Sequence, residues 1–343
     1  MKRLILLSLL LIVQYALYTT TCVAQGPNDS GIYYKNADGK SGAELKTALS
    51  DIINHVKKRD KDVSKVYKML WDDFRTTDAT ADGKVWDMYS NKKQYEFGTD
   101  QAGNYSKEGD VYNREHSFPN SWFGGKVATM YYDLHHVYPT DGWVNGQRGN
   151  DPFGEVAPGY KSSYQEFSKW GTARADLGYT GKVFEPNDEY KGDFARTYFY
   201  MVTCYENDLH NWYEQYSDSR TTLDGNTYPG LAEWQLNMLM RWAKMDPISD
   251  KEINRNKAVY GIQENRNPFI DYPQLEELIW GDHQDVAFSY DHYTLDTNGF
   301  IGISIKPERF TDEAIYNMKG QRVDSDNLTP GIYIRNGRKF IVK

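Results

Sequence analysis

The apolar positions between residues 41 and 56 fall at Leu45, Leu49, Ile52, Ile53 and Val56, a spacing that winds one apolar stripe along a helix. A second helical run covers residues 63–74, and residues 76–83, TTDATADG, read as a turn-rich connection. Residues 85–89 favour short strands. From 91 to 158 no long helical period survives, although the stretch is dense in His, Trp, Phe and Tyr. Such a segment is either a poorly packed excursion or an active-site region on short elements, and the reactive side chains favour the second. Helical spacing returns at 193–205, where Cys204 sits in a buried pattern. It returns again at 231–245 through Leu231, Trp234, Met238, Trp242 and Met245, a stripe that reads as core. Ser249 and Glu252 stand as a capping box for another helix, which Pro268 is expected to stop. Tyr272-Pro273 is expected to open a short helix over 274–279. Near 281 the pattern changes. No Lys or Arg occurs from 267 to 305, residues 301–305 alternate weakly, and residues 313–323 and 331–342 read as strands turning at Lys319-Gly320 and Asn336-Gly337. The expected organisation is a main domain over 25–281, a linker over 282–298 and a small β-rich module over 299–343, too short for a large core of its own.

The first 24 residues, MKRLILLSLLLIVQYALYTTTCVA, join a basic start to an apolar run too short to span a bilayer, and read as a signal peptide. Cleavage after Ala24 removes Lys2 and Arg3, moves the formal charge from −8 to −10 and leaves Cys204 as the sole thiol, so an internal disulfide is impossible. The expected product is a monomer that is secreted or held at the cell surface, with the periplasm as an alternative. Its partners are a substrate and the export machinery, with no stable membrane span. The 28 Tyr and 9 Trp argue against a disordered chain. The acidic balance excludes a histone-like wrapping protein. It leaves a polyanion-binding enzyme open, because net charge says little about the potential inside one groove.

Three of the seven His, at 116, 135 and 136, fall within two segments, YNREHSFP at 112–119 and DLHHVYP at 133–139; VNGQRGN follows at 144–150. Paired carboxylates for glycoside chemistry are unspecific in a chain with 48 acids. A serine hydrolase lacks its G-x-S-x-G elbow, and neither H-E-x-x-H nor a Cys pair is present for zinc. Glu115, His116, His135, His136 and Asn145 instead supply a ligand set and a base for metal-assisted hydrolysis. Carboxylate and amide oxygens suit Mg²⁺ or Ca²⁺.

NREHSFPNSWFGG at 113–125, DLHHVYPTDGWVNGQRGNDPFG at 133–154 and NRNPFIDYP at 265–273 together resemble the bacterial endonuclease I family, over roughly residues 40–281. The resemblance implies an α+β fold, a mainly helical domain around a ββα-metal (His-Me finger) nuclease core. It also implies a secreted or periplasmic enzyme that hydrolyses DNA and RNA with little sequence specificity and leaves 5′-phosphate ends. Carried over residue by residue, Glu115 and Asn145 hold the metal, Mg²⁺ with Ca²⁺ or Mn²⁺ as alternatives, and His116 is the general base. Neighbours on a strand face opposite ways, so Glu115 and His116 share a site only if the strand ends or bends there. Asp133, His135 or His136 is expected to brace the base or the metal shell. Arg148, Arg114 and Arg266 are candidates for phosphate contact, with Arg148 steadying a nonbridging oxygen. Residues 124–133 are short and carry no Arg, so the phosphate-gripping Arg of some family members has no counterpart. The closing GIYIRNGRKFIVK resembles C-terminal sorting domains of gliding-type bacteria. The competing reading is a non-enzymatic glycan- or surface-binding protein, suggested by export, acidity, aromatic content and the β-like tail.

Overall fold

The long apolar stripes become a helical frame. The chain is seen here in a computed structural model that describes residues 25–101, 104–295, 301–303, 315–317, 322–323, 331–335 and 338–342. Helix α1 (Gly42–Ile53) buries Leu45, Leu49 and Ile53. Helix α2 (Val63–Thr77) starts at Asp62, whose side chain accepts from the Ser64 and Lys65 amides, two donors the first turn would otherwise leave unpaired. Its stripe of Val66, Leu70 and Phe74 packs with Tyr132, Leu134, Val137 and Val259. Residues 85–89 do not form a strand; Val85 makes only an isolated bridge with Ala79. The polarity of Asp87 explains this, since its carboxylate serves the Tyr89, Ser90 and Asp141 amides instead of a strand partner.

Two short strands then pair antiparallel. These are β1 (Tyr112–His116) and β2 (Val137–Asp141), in register from Tyr112 opposite Asp141 to His116 opposite Val137. Helix α3 (Gly142–Arg148) follows β2 without a break. Asp141 makes the change possible, because its side chain accepts from the Val144 amide and caps the helix. A meander of β3 (Lys161–Ser162), β4 (Lys169–Thr172) and β5 (Lys182–Glu185) comes next, in a stretch whose sequence carries no clear periodicity.

Helix α4 (Lys191–Cys204) is buried along its whole length. After α5 (Leu209–Gln215), helix α6 (Glu233–Met245) buries Met238, Leu239 and Trp242. Helix α7 (Asp250–Gln263) opens with the expected reciprocal bonds of Ser249 and Glu252. Its Arg255 reaches Asp78 at 2.8 Å and the Val137 carbonyl at 3.1 Å, tying the helix to β2. Pro268 does not stop a helix. Helix α7 has already ended at Gln263, and Pro268 is the first residue of α8 (Pro268–Asp271), where its missing N–H costs nothing and Asn267 caps the turn. Helix α9 (Leu275–Ile279) completes the frame. No described helix is long and apolar enough to cross a membrane.

The chain divides into two compact units between Asp291 and His292. The second unit holds β6 (Tyr293–Leu295) paired with β7 (Ile301–Ile303), and a sheet ordered β11-β10-β8-β9 from β8 (Ile315–Asn317), β9 (Arg322–Val323), β10 (Gly331–Arg335) and β11 (Arg338–Val342). The expected signal peptide and the two expected turns at Lys319-Gly320 and Asn336-Gly337 lie outside the described residues, as does part of the expected linker.

Candidate active site

The end of β1 and one face of α3 border a cleft of about 220 Å³ lined by Arg114, Glu115, His116 and Asn145, with Tyr67 and Asn120 at its sides. Strand β1 stops at His116, so Glu115 and His116 open into the same cleft despite being neighbours. The turn after α3 requires glycine at 149. Its φ is +57° although nothing lies within 4 Å of the position a Cβ would take, so backbone conformation and not crowding selects it.

Among the described residues, each of three cleft side chains has one polar atom fixed by the protein and one without a protein partner. Glu115 accepts through Oε1 alone, from Tyr89 Oη at 2.8 Å and from Arg148 Nη1; among the described residues nothing donates to Oε2. Asn145 donates from Nδ2 to Asn113 Oδ1 at 2.8 Å, leaving its own Oδ1 without a donor. His116 Nε2 lies 2.9 Å from the Tyr131 carbonyl. A carbonyl only accepts, so Nε2 carries the hydrogen and Nδ1 carries the lone pair. The ring lies against the pair formed by Tyr67 and Tyr131, at 5.5 and 4.8 Å between centroids, and those two rings are themselves 4.3 Å apart. Burial, and then the neighbouring His136, push the His116 pKa down to about 3. The imidazole is therefore neutral, and its Nδ1 carries no proton.

Glu115 Oε2 and Asn145 Oδ1 are a carboxylate oxygen and an amide oxygen. Such hard donors fit Mg²⁺, Mn²⁺ or Ca²⁺ and are a poor set for structural zinc. Among the described residues no group of three or more His, Cys, Asp and Glu gathers for a metal, at this cleft or elsewhere.

Arg114 also lines the cleft. Its guanidinium lies over Tyr67 at 3.7 Å and Trp71 at 4.3 Å, and Nη1 donates to the Tyr67 carbonyl at 2.6 Å. The remaining expected residues stand elsewhere. Arg148 is 1 % exposed and its nitrogens are committed to Glu115, Tyr89, Tyr198 and three backbone carbonyls, so it is not placed to touch a phosphate. Arg266 forms a buried two-point ion pair with Asp271 and is absent from the cleft lining. Asp133 is fully buried and accepts from Tyr200, Tyr205, the His135 amide and Gln263. His135 faces the Asn265 carbonyl at 3.2 Å, and His136 lies behind His116 with ring centroids 5.5 Å apart. Of the three side chains, that of His136 alone bonds to the loop that carries Tyr131, through the Met130 carbonyl at 2.6 Å.

Sequence reading missed Tyr67, Tyr89, Asn113 and Tyr131. Asn113 had a signal, because alternate residues of a strand share a face and Glu115 is two positions on. Tyr89 had none, since its contact with Glu115 spans 26 positions of chain.

A family model described as Endonuclease I matches residues 41–274. The chain is 34 % identical over 269 residues to an extracellular ribonuclease of Bacillus amyloliquefaciens, covering 76 % of this chain and 82 % of that protein. It is 32 % identical over 259 residues to an extracellular ribonuclease of Bacillus subtilis (strain 168), covering 74 % and 79 %. A shorter match, 25 % identical over 147 residues, reaches an extracellular deoxyribonuclease of Aeromonas hydrophila and covers 40 % of this chain and 49 % of that protein.

Proposed function

The chain belongs to the endonuclease I family, and from that premise we propose that it is an exported, metal-dependent endonuclease that hydrolyses phosphodiester bonds in RNA and DNA with little sequence preference. The observation that carries this reading is the shared cleft of Glu115, His116 and Asn145, each with one atom held and one left to act. Export is supported by the apolar start of the chain and by the extracellular nucleases it is similar to. The proposed core is the ββα element of β1, β2 and α3.

In this reading Glu115 and Asn145 hold a divalent cation, Mg²⁺ by preference. A cation held there would offset the charge of the phosphate and of the departing 3′-oxygen. His116 Nδ1 takes the proton of the attacking water as the new P–O bond forms, the P–O3′ bond breaks, and the departing 3′-oxygen takes a proton from solvent water, leaving a 5′-phosphate and a 3′-hydroxyl. The Tyr131 carbonyl holds the ring in the tautomer this requires. Arg114 steadies a nonbridging oxygen, kept in place by its two aromatic neighbours. It is the cation that takes over from the Arg missing at 124–133.

Purified mature protein incubated with RNA and with plasmid DNA tests this, in Mg²⁺ and then in EDTA. Cleavage of both substrates that EDTA abolishes is expected. Folded protein that cleaves neither under any condition contradicts the reading.

A further inference from the structure

Arg148 is a fully enclosed cation whose neighbours explain its position better than any contact with substrate. Its Nη1 reaches Glu115 Oε1, Tyr89 Oη at 3.1 Å and the His116 carbonyl at 3.3 Å. Its Nη2 reaches the Ser117 carbonyl at 2.7 Å and Tyr198 Oη at 3.4 Å. One guanidinium therefore grips three consecutive residues at the end of β1. The same residue stands three positions beyond Asn145 on α3, close to one turn along the helix. Phe153 lies against the guanidinium at 4.2 Å and closes the space behind it.

We propose that Arg148 and Tyr89 are positioning residues that lock α3 to the end of β1 and hold Glu115 Oε1, so that Glu115 offers a cation one oxygen, Oε2, at a fixed separation from Asn145 Oδ1. The proposal rests on the reading of Glu115 and Asn145 as cation ligands. A carboxylate free to turn presents both oxygens and suits Ca²⁺, which accepts two-point carboxylate binding. One that presents a single oxygen suits Mg²⁺, which keeps most of its waters. Two donors on Oε1 favour the second state. The fork geometry matters as much as the charge. A lysine ammonium cannot reach a carboxylate and two carbonyls from one rigid plane.

The test is calorimetric titration of substrate-free protein with Mg²⁺ and with Ca²⁺. It compares the parental chain with Tyr89→Phe, Arg148→Lys and Glu115→Gln, each checked for folding by circular dichroism. Tyr89→Phe removes one hydroxyl and decides the matter if Arg148→Lys fails to fold. Partners that orient a ligand typically contribute about 10–100-fold to metal affinity. Tyr89→Phe is therefore expected to lose about tenfold in Mg²⁺ affinity and less in Ca²⁺ affinity, with turnover recovering at high Mg²⁺. Unchanged Mg²⁺ affinity in folded Tyr89→Phe, with binding lost in Glu115→Gln, overturns the positioning role and leaves the ligand reading intact. Unchanged affinity in both variants overturns the ligand reading and this proposal with it.

Discussion

Residues 115–116 and residues 133–136 are built from the same kinds of side chain, a carboxylate and histidines, buried to a similar degree and each set beside a backbone carbonyl. They differ in how completely their polar atoms are used. Both oxygens of Asp133 carry donors, two from tyrosine hydroxyls and two from nitrogens, and its carboxylate has nothing left to offer a ligand. Among the described residues, Glu115, His116 and Asn145 each keep one atom without a protein partner at the wall of a cleft. His136 marks the boundary. Its Nδ1 also lacks a partner, but the ring is fully enclosed and does not line that cleft. A buried polar group that is fully satisfied stabilises the fold, while one that is half satisfied and open is free for chemistry.

The comparison breaks most visibly at Asp133. Asp133→Ala leaves several buried donors unpaired and is expected to cost about 3–5 kcal/mol of stability. Urea unfolding measures this, and turnover per folded molecule should stay near the parental value. A large fall in turnover with unchanged stability would move Asp133 into the chemistry.

The next effect is a dependence on pH. Burial pushes the His135 pKa down to about 4, with Asp133 opposing, whereas the unfolded chain takes up that proton near its ordinary value of about 6.5. Between these values the unfolded state binds more protons, so the contribution is complete above pH 6.5 and is lost as pH falls towards 4. Glu276, pushed up to about 7 by burial, runs the other way and loses its contribution as pH rises towards 7. The His135 share is isolated by subtracting the stability curve of His135→Gln from the parental curve. That difference should shrink by about 2 kcal/mol between pH 7 and pH 4.5. A flat difference would show that the ring is not held neutral.

These two contrasts also show what the amino-acid pattern could reveal. The helical frame was readable because stripes such as Leu45, Leu49 and Ile53 repeat at the helical period, and Glu115, His116 and Asn145 were readable because they sit inside short, unusual motifs. The division of labour among arginines was not. Arg114, Arg148 and Arg266 are alike in sequence, and only long-range partners separate them. Aromatic faces hold Arg114 at the cleft, Glu115 and the His116 and Ser117 carbonyls enclose Arg148, and Asp271 neutralises Arg266. Pro268 misled for a local reason, since proline ends a helix from inside but opens one from its first position.

Smaller effects sharpen the arginine contrast. Arg114→Ala is expected to weaken RNA and DNA binding about tenfold on any sequence and to make the salt dependence shallower by about one counterion. Binding isotherms across a salt series on two unrelated sequences check this, and loss confined to one sequence would instead indicate base reading. Smallest of all is the tail. Deleting residues 299–343 should leave turnover unchanged, because none of the proposed site lies there; a folded truncation without activity would place part of the substrate path in the tail.

The central claim is that the open nitrogen of His116 is the base and that Glu115 and Asn145 provide the cation's oxygens. Turnover of folded His116→Ala, measured against Mg²⁺ concentration, tests it most directly. The account predicts a plateau lowered by about 10²–10⁴-fold, the usual contribution of a general base, with the Mg²⁺ midpoint unchanged and no rescue by excess Mg²⁺. A plateau near the parental value would contradict it, and a midpoint shifted to much higher Mg²⁺ would make His116 a ligand.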